Sequence, residues 1–226
     1  MRKAMVLGVF ALAGTLTSPA FADEFSGFRL GLNLSQDKME SDMYLGAVDL
    51  SSPINSNRFG YGLMGGWGLN KWFAVEATLY GGSEFNADLF PLQVVDPEYL
   101  RSRTDLKGLE ASAVGSLWIG KKFSLFGRVG LNAWKAETVL SAGFFDDPAS
   151  HVSVAQDDTG FDPVFGIGLQ TVLDGALVRL EYKMGEMGNI TLNDYGDPST
   201  AADDVNVFHQ NNTDLSSLTL SIVWIL

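Results

Sequence analysis
Cysteine is absent from the 226 residues, which excludes a disulfide framework and any metal site built on thiolates. Basic residues are scarce. Fifteen Lys+Arg stand against 27 Asp+Glu, and a formal net charge of -12 argues against nucleic acid as a partner, because such binding needs a basic footprint. Histidine occurs twice, at 151 and 209. Beyond Ala22 no apolar run reaches 18 residues, so no segment there reads as a spanning helix. Two things are plentiful instead: hydrophobic residues at 46%, and 25 glycines, roughly 11% where about 7% is usual. That hydrophobicity excludes disorder. It leaves either an unusually large core or an apolar surface that faces no core.

The first 22 residues read as a leader. Arg2 and Lys3 give a short positive region, Ala4 to Leu16 is apolar, and Ser18-Pro19-Ala20-Phe21-Ala22 ends in the small-x-small pattern of a cleavage site. The apolar run is too short for a membrane anchor, which needs about 20 residues. Residues 1–22 are therefore expected to be removed as a signal peptide. Residues 23–226 would form one exported, strongly acidic domain.

That domain alternates with period two, the signature of strands. Phe28, Leu30, Leu32 and Leu34 share a face against Arg29, Gly31, Asn33 and Ser35. Phe59, Tyr61, Leu63, Gly65, Trp67 and Leu69 oppose Gly60, Gly62, Met64, Gly66 and Gly68, and Phe73, Val75, Ala77 and Leu79 oppose Ala74, Glu76, Thr78 and Tyr80. A fourth strand sets Leu109, Ala111, Ala113, Leu117 and Ile119 against Glu110, Ser112, Val114, Ser116 and Trp118. A fifth sets Leu125, Val129, Leu131 and Ala133 against Ser124, Arg128, Asn132 and Trp134. The same pattern recurs in Val164–Thr171, Val178–Gly185 and Ser217–Leu226.

Eight strands of about ten residues suit a soluble sandwich or lipocalin-like barrel, or an outer-membrane barrel with its apolar face toward lipid. The polar face decides. It carries few charges among many small residues, and the charges nearly balance: Arg29, Arg128, Arg179 and Lys183 against Glu76, Glu110 and Glu181. A narrow closed lumen requires that combination, since small side chains make room and buried charges must pair. Connections also alternate. Short ones fall at Asn70-Lys71, Lys121-Lys122 and Asp174-Gly175, and long ones at about residues 37–57, 83–105, 137–160 and 186–214. The expected fold is an all-β, eight-stranded antiparallel up-and-down transmembrane barrel with short periplasmic turns and long external loops. Trp67, Phe73 and Trp224 near the short turns, with Phe59, Tyr61 and Tyr182 near the long loops, are candidates for an aromatic girdle at the headgroups.

The segments Trp72-Phe73-Ala74-Val75-Glu76-Ala77, Phe126-Gly127-Arg128-Val129-Gly130-Leu131, Phe165-Gly166-Ile167-Gly168-Leu169 and Val178-Arg179-Leu180-Glu181-Tyr182, behind a leader, resemble the eight-stranded barrel family of outer membrane protein A. The resemblance implies a monomer inserted by the outer-membrane assembly machinery, with interior ion pairs at Glu76, Arg128, Arg179 and Glu181. Two departures stand out. The chain ends at its eighth strand, without the peptidoglycan-binding domain of the larger members, and its last residue is Leu226 where the family usually has an aromatic one.

Chemistry motifs carry little. Gly60-Tyr61-Gly62-Leu63-Met64-Gly65 spells G-x-G-x-x-G, but a dinucleotide site needs those glycines to end a strand and open a helix, and here they lie within a strand pattern. His151, flanked by Ser150 and Ser153 with Asp146, Asp147 and Asp157 nearby, and His209 fall in predicted external loops. Some eight-stranded barrels are lipid A acylases or deacylases, yet neighbours in sequence do not make a triad. The acidic pairs Asp146-Asp147, Asp157-Asp158 and Asp203-Asp204, with Asp194 and Asp197, match no calcium-loop spacing and read as solvated loops.

The expected role is non-enzymatic, structural or surface-interacting, with no cofactor or metal. The lumen would be plugged by Arg29, Glu76, Glu110, Arg128, Arg179, Glu181 and Lys183. A small passive channel and a lipid A-modifying enzyme are the alternatives. Expected partners are outer-membrane lipids and lipopolysaccharide, the assembly machinery and an extracellular ligand of the acidic loops.

Overall fold
The computed structural model describes residues 25–45, 48–49, 54–89, 99–144, 147–187, 190–192 and 208–226, so the predicted leader lies outside the described residues. Eight antiparallel strands close into a barrel: β1 (Gly27–Leu45), β2 (Ile54–Gly68), β3 (Phe73–Leu89), β4 (Tyr99–Ile119), β5 (Phe123–Phe144), β6 (Asp147–Leu173), β7 (Ala176–Met187) and β8 (Phe208–Ile225). Each strand pairs with the next, and β8 closes on β1 from Arg29↔Ile225 to Leu45↔Phe208. Val48–Asp49 extends the rim beside β1, and Ile190–Leu192 beside β8.

The short turns have local causes. After β2, the Asn70 Oδ1 accepts the backbone N–H of Trp72 at 2.7 Å and of Phe73 at 2.9 Å, so the side chain bends the chain back. Between β6 and β7, Asp174 and Gly175 both take positive φ, 47° and 81°, as a two-residue hairpin requires.

The apolar residues are on the outside. Leu32, Leu63, Leu117, Ile167 and Ile222 are all exposed within strands, and a continuous apolar wall of this kind fits lipid rather than water. On β4 the apolar outward run from Leu109 to Ile119 rises ~33 Å along the strand. At a tilt of about 40° that becomes roughly 25 Å of height, the apolar band of an outer-membrane barrel.

The strands exceed the expected ten residues and span 12 to 27. Much of what the sequence assigns to long loops is therefore wall: 37–45, 83–89, 99–105, 137–144 and 147–160 are strand. The physical reason is a change of parity. Above the lipid band the outside meets water, so Lys38, Arg103, Lys107, Lys135 and Glu137 point out while Met39, Phe85, Leu106 and Ala136 turn inward and are buried. The ladder continues although the apolar residues have changed sides. On β3 the change coincides with an irregular register between Tyr80 and Ser83, where Gly82 takes a φ of 87° open to glycine.

Candidate functional site
The lumen is filled in layers. At the end bearing the short turns, Phe25, Met64, Leu177 and Val223 form an apolar cap against Trp118, Val172 and Ile225. The Phe25 and Trp118 rings lie 4.5 Å apart, and Trp118 Nε1 donates to the Lys71 carbonyl at 2.5 Å.

The charged layer centres on Glu76 of β3. Its carboxylate accepts Arg179 Nη1 of β7 at 2.8 and 2.9 Å, Arg128 Nη2 of β5 at 3.0 Å and Arg29 Nη1 of β1 at 3.3 Å. Arg128 also donates through Nε to Glu181 at 2.7 Å, and through Nη1 to Glu110 at 3.1 Å and Ser112 Oγ at 2.7 Å. Lys183 Nζ reaches the other oxygen of Glu110 at 3.1 Å. Strands β1, β3, β4, β5 and β7 thus meet through side chains across an interior that eight strands leave just wide enough to fill. Glu76 and Arg179 are each 1% exposed, so these charges interact away from water.

All seven inward charges singled out in the sequence belong to this one network. Sequence reasoning missed its neutral partners. Arg179 Nε donates to Gln170 Oε1 at 2.9 Å, Gln170 Nε2 to Ser116 Oγ at 3.1 Å, and the Arg179 guanidinium lies 5.4 Å from the Phe126 ring. Inward parity alone would have placed Ser112, Ser116, Phe126 and Gln170 on the same side.

Glycine makes the room. A Cβ on Gly166 would lie 2.3 Å from Glu181 Oε1. Gly166→Val should push that carboxylate off Arg128 and lower stability by about 1–3 kcal/mol, read as a lower urea midpoint of the barrel in lipid. An unchanged midpoint would mean that Glu181 finds another seat at no cost.

The six girdle candidates, Phe59, Tyr61, Trp67, Phe73, Tyr182 and Trp224, all stand exposed on the outer face. Phe28, Phe123, Phe161 and Phe165 do so as well, and strand parity was the signal for them. The histidines are not in loops, a correction to the sequence reading: the backbone puts His151 on β6 and His209 on β8, opposite Tyr44 of β1. Asp157 is six residues from His151 along the same strand, about 20 Å of backbone, and its carboxylate pairs with Lys135 at 2.5 Å. Asp194, Asp197, Asp203 and Asp204 lie outside the described residues. The G-x-G-x-x-G run sits wholly inside β2, where no helix follows.

Above the lipid band an ionic strip covers β3 to β6. Lys107 and Lys135, opposite each other in register, both donate to Glu137, at 2.7 and 3.1 Å, and Arg103 reaches Glu84 at 2.8 Å. The two lysine hydrogen bonds hold the Glu137 carboxyl below its ordinary value. Among the described residues no three His, Asp or Glu side chains are grouped to hold a metal ion.

Residues 8–223 match the family described as outer membrane protein beta-barrel domain. No curated protein matches the sequence. Solved structures similar to the chain include the outer membrane protein OprG from Pseudomonas aeruginosa, at 13% identity over 89% of this chain and 97% of that one, with a TM-score of 0.54. The outer membrane protein AlkL, solved in lipid bilayers, is 13% identical over 93% and 95%, with a TM-score of 0.50. At these identities the likeness is one of fold.

Proposed function
Because the chain belongs to the outer membrane β-barrel domain family and so resides in the outer membrane, we propose that it is a non-enzymatic envelope protein whose wall carries an extracellular rim and whose lumen is closed by ion pairs. The leader at 1–22 would be cleaved on export, the assembly machinery would insert the barrel as a monomer, and outer-membrane lipids and lipopolysaccharide would surround it. An extracellular ligand would meet the external rim.

One observation carries the closed lumen: Glu76, 1% exposed, holds three guanidinium groups from three other strands within 3.3 Å. A water path has to break those contacts. The apolar cap around Phe25 and Trp118 supports the same reading from below.

The non-enzymatic part has its own test. Lipid A from cells expressing the wild-type chain and from cells expressing His151→Ala is expected to give the same mass spectrum. A lipid A modification present only with the wild type would overturn it.

A further inference from the structure
The chain as a whole is acidic, but its end with the short turns is not. Among the described residues the three short turns carry Lys71, Lys121 and Lys122 against Asp174 alone, in a chain whose formal net charge is -12. Lys71 lies over the Trp72 ring at 4.7 Å, whereas Lys121 and Lys122 are exposed and, among the described residues, neither meets a carboxylate. Their depth follows from their neighbours. Ile119 and Phe123 flank the turn, pair with each other and stand exposed on the outer face, so the two lysines lie just past the last lipid-facing residues of β4 and β5. At the periplasmic end of a barrel that is the level of the inner-leaflet headgroups.

A groove begins at the same place. An open hollow of about 240 Å3 lies on the outer face over β5 to β8, with Phe123, Leu169, Thr171, Val178, Leu180 and Leu220 in its lining. The register explains the hollow. Phe123, Thr171 and Val178 are successive neighbours in one row across the strands, and Leu169, Leu180 and Leu220 form the next row. Thr171 and Val178 are shorter than the Phe and Leu side chains around them and are half-buried where those are exposed, so the surface dips. Thr171 is also the one polar residue among the outward positions of β6 from Phe161 to Leu173. The backbone ties the lysines to this groove: the Lys122 carbonyl accepts the Val172 N–H at 2.9 Å, so Lys122 stands beside the residue that follows Thr171.

An apolar groove that ends at a hydroxyl and two unpaired ammonium groups, at headgroup depth, fits one kind of occupant. A phospholipid with an anionic head can lay an acyl chain in the groove and bring its phosphate to the lysines, since lysines at a membrane surface attract negative lipid charge. A zwitterionic head brings an ammonium of its own and gains less from them.

We propose that the outer face beside the β4–β5 turn holds one anionic phospholipid of the inner leaflet, its head on Lys121 and Lys122 and one acyl chain in the groove over Thr171 and Val178. The site rests on the outer-membrane placement of the barrel and not on the closed lumen or the absence of enzymatic activity, so a conducting or catalytic barrel would leave it standing.

The test places the full chain in nanodiscs of phosphatidylglycerol and phosphatidylcholine, in equal amounts and with the same acyl chains, and counts by mass spectrometry the lipids that the intact barrel keeps. One phosphatidylglycerol per barrel is expected, preferred roughly tenfold over phosphatidylcholine, as two lysines near anionic headgroups provide. Lys121→Gln with Lys122→Gln should remove the preference. Lys107→Gln with Lys135→Gln, at the opposite end of the wall, should leave it unchanged. Thr171→Phe should fill the groove and cut retention of both lipids with the lysines intact. Equal retention of the two lipids by the wild type would overturn the proposal, as would a preference that survives loss of Lys121 and Lys122 or disappears with Lys107 and Lys135. Full retention by Thr171→Phe, in barrels that still migrate as folded without heating, would overturn it as well.

Discussion
Glu76→Gln is expected to lower the unfolding free energy of the barrel in lipid by roughly 3–5 kcal/mol, the usual penalty for removing one partner of a buried pair. The substitution keeps the shape and removes the charge. Arg29, Arg128 and Arg179 would then crowd a neutral amide with no water to screen them, since Arg179 is 1% exposed and the other two are buried. Glu181 and Glu110 would still hold Arg128, through 2.7 and 3.1 Å contacts, so Arg179, whose other partner is the neutral Gln170, should suffer most. The double variant Glu76→Gln with Arg179→Gln should accordingly cost less than the two single costs summed, as it must for groups in one network. Urea titration in lipid vesicles reads both. Equal midpoints for Glu76→Gln and wild type would remove the charged layer from the account. Strict stabilisation is not what such a network supplies, since apolar replacements of buried ion pairs are often neutral. Its contribution here is to tie five strands together across the lumen.

Leu32→Arg should cost about 2–4 kcal/mol, the penalty for a cation near the middle of the lipid face. Leu32 points outward between Leu30 and Leu34, and all three are exposed. Its neighbour Asn33 points inward and lines the upper lumen, so Asn33→Gln should be milder in the same urea titration. The opposite order would invert the strand parity on which every inward and outward assignment rests.

That parity was legible because lipid enforces it. Each residue from Phe28 to Leu34 or from Leu218 to Leu226 either meets hydrocarbon or does not, and the pleat sorts them two by two. The inward charges were legible for the same reason. Which carboxylate meets which guanidinium was not. Strand tilt decides which residues meet across the lumen, and it brings Glu76 to Arg29, Arg128 and Arg179, which are 47, 52 and 103 positions away. The upper wall was misread as loop because the apolar parity reverses where lipid ends: Leu109 is outward and Leu106 inward on one strand. Pro163 stands just ahead of the Val164–Thr171 pattern, where the β6–β7 ladder ends, for proline removes a ladder donor. Its meaning depended on where β7 ends, and that was not legible in the sequence.

The central claim, a barrel closed to ions, has a direct measurement. The full chain inserted in a planar bilayer at neutral pH should give no conductance steps above those of the bare membrane, with insertion verified by the shift in gel mobility on heating. Sustained ohmic conductance from the folded wild-type barrel would contradict it.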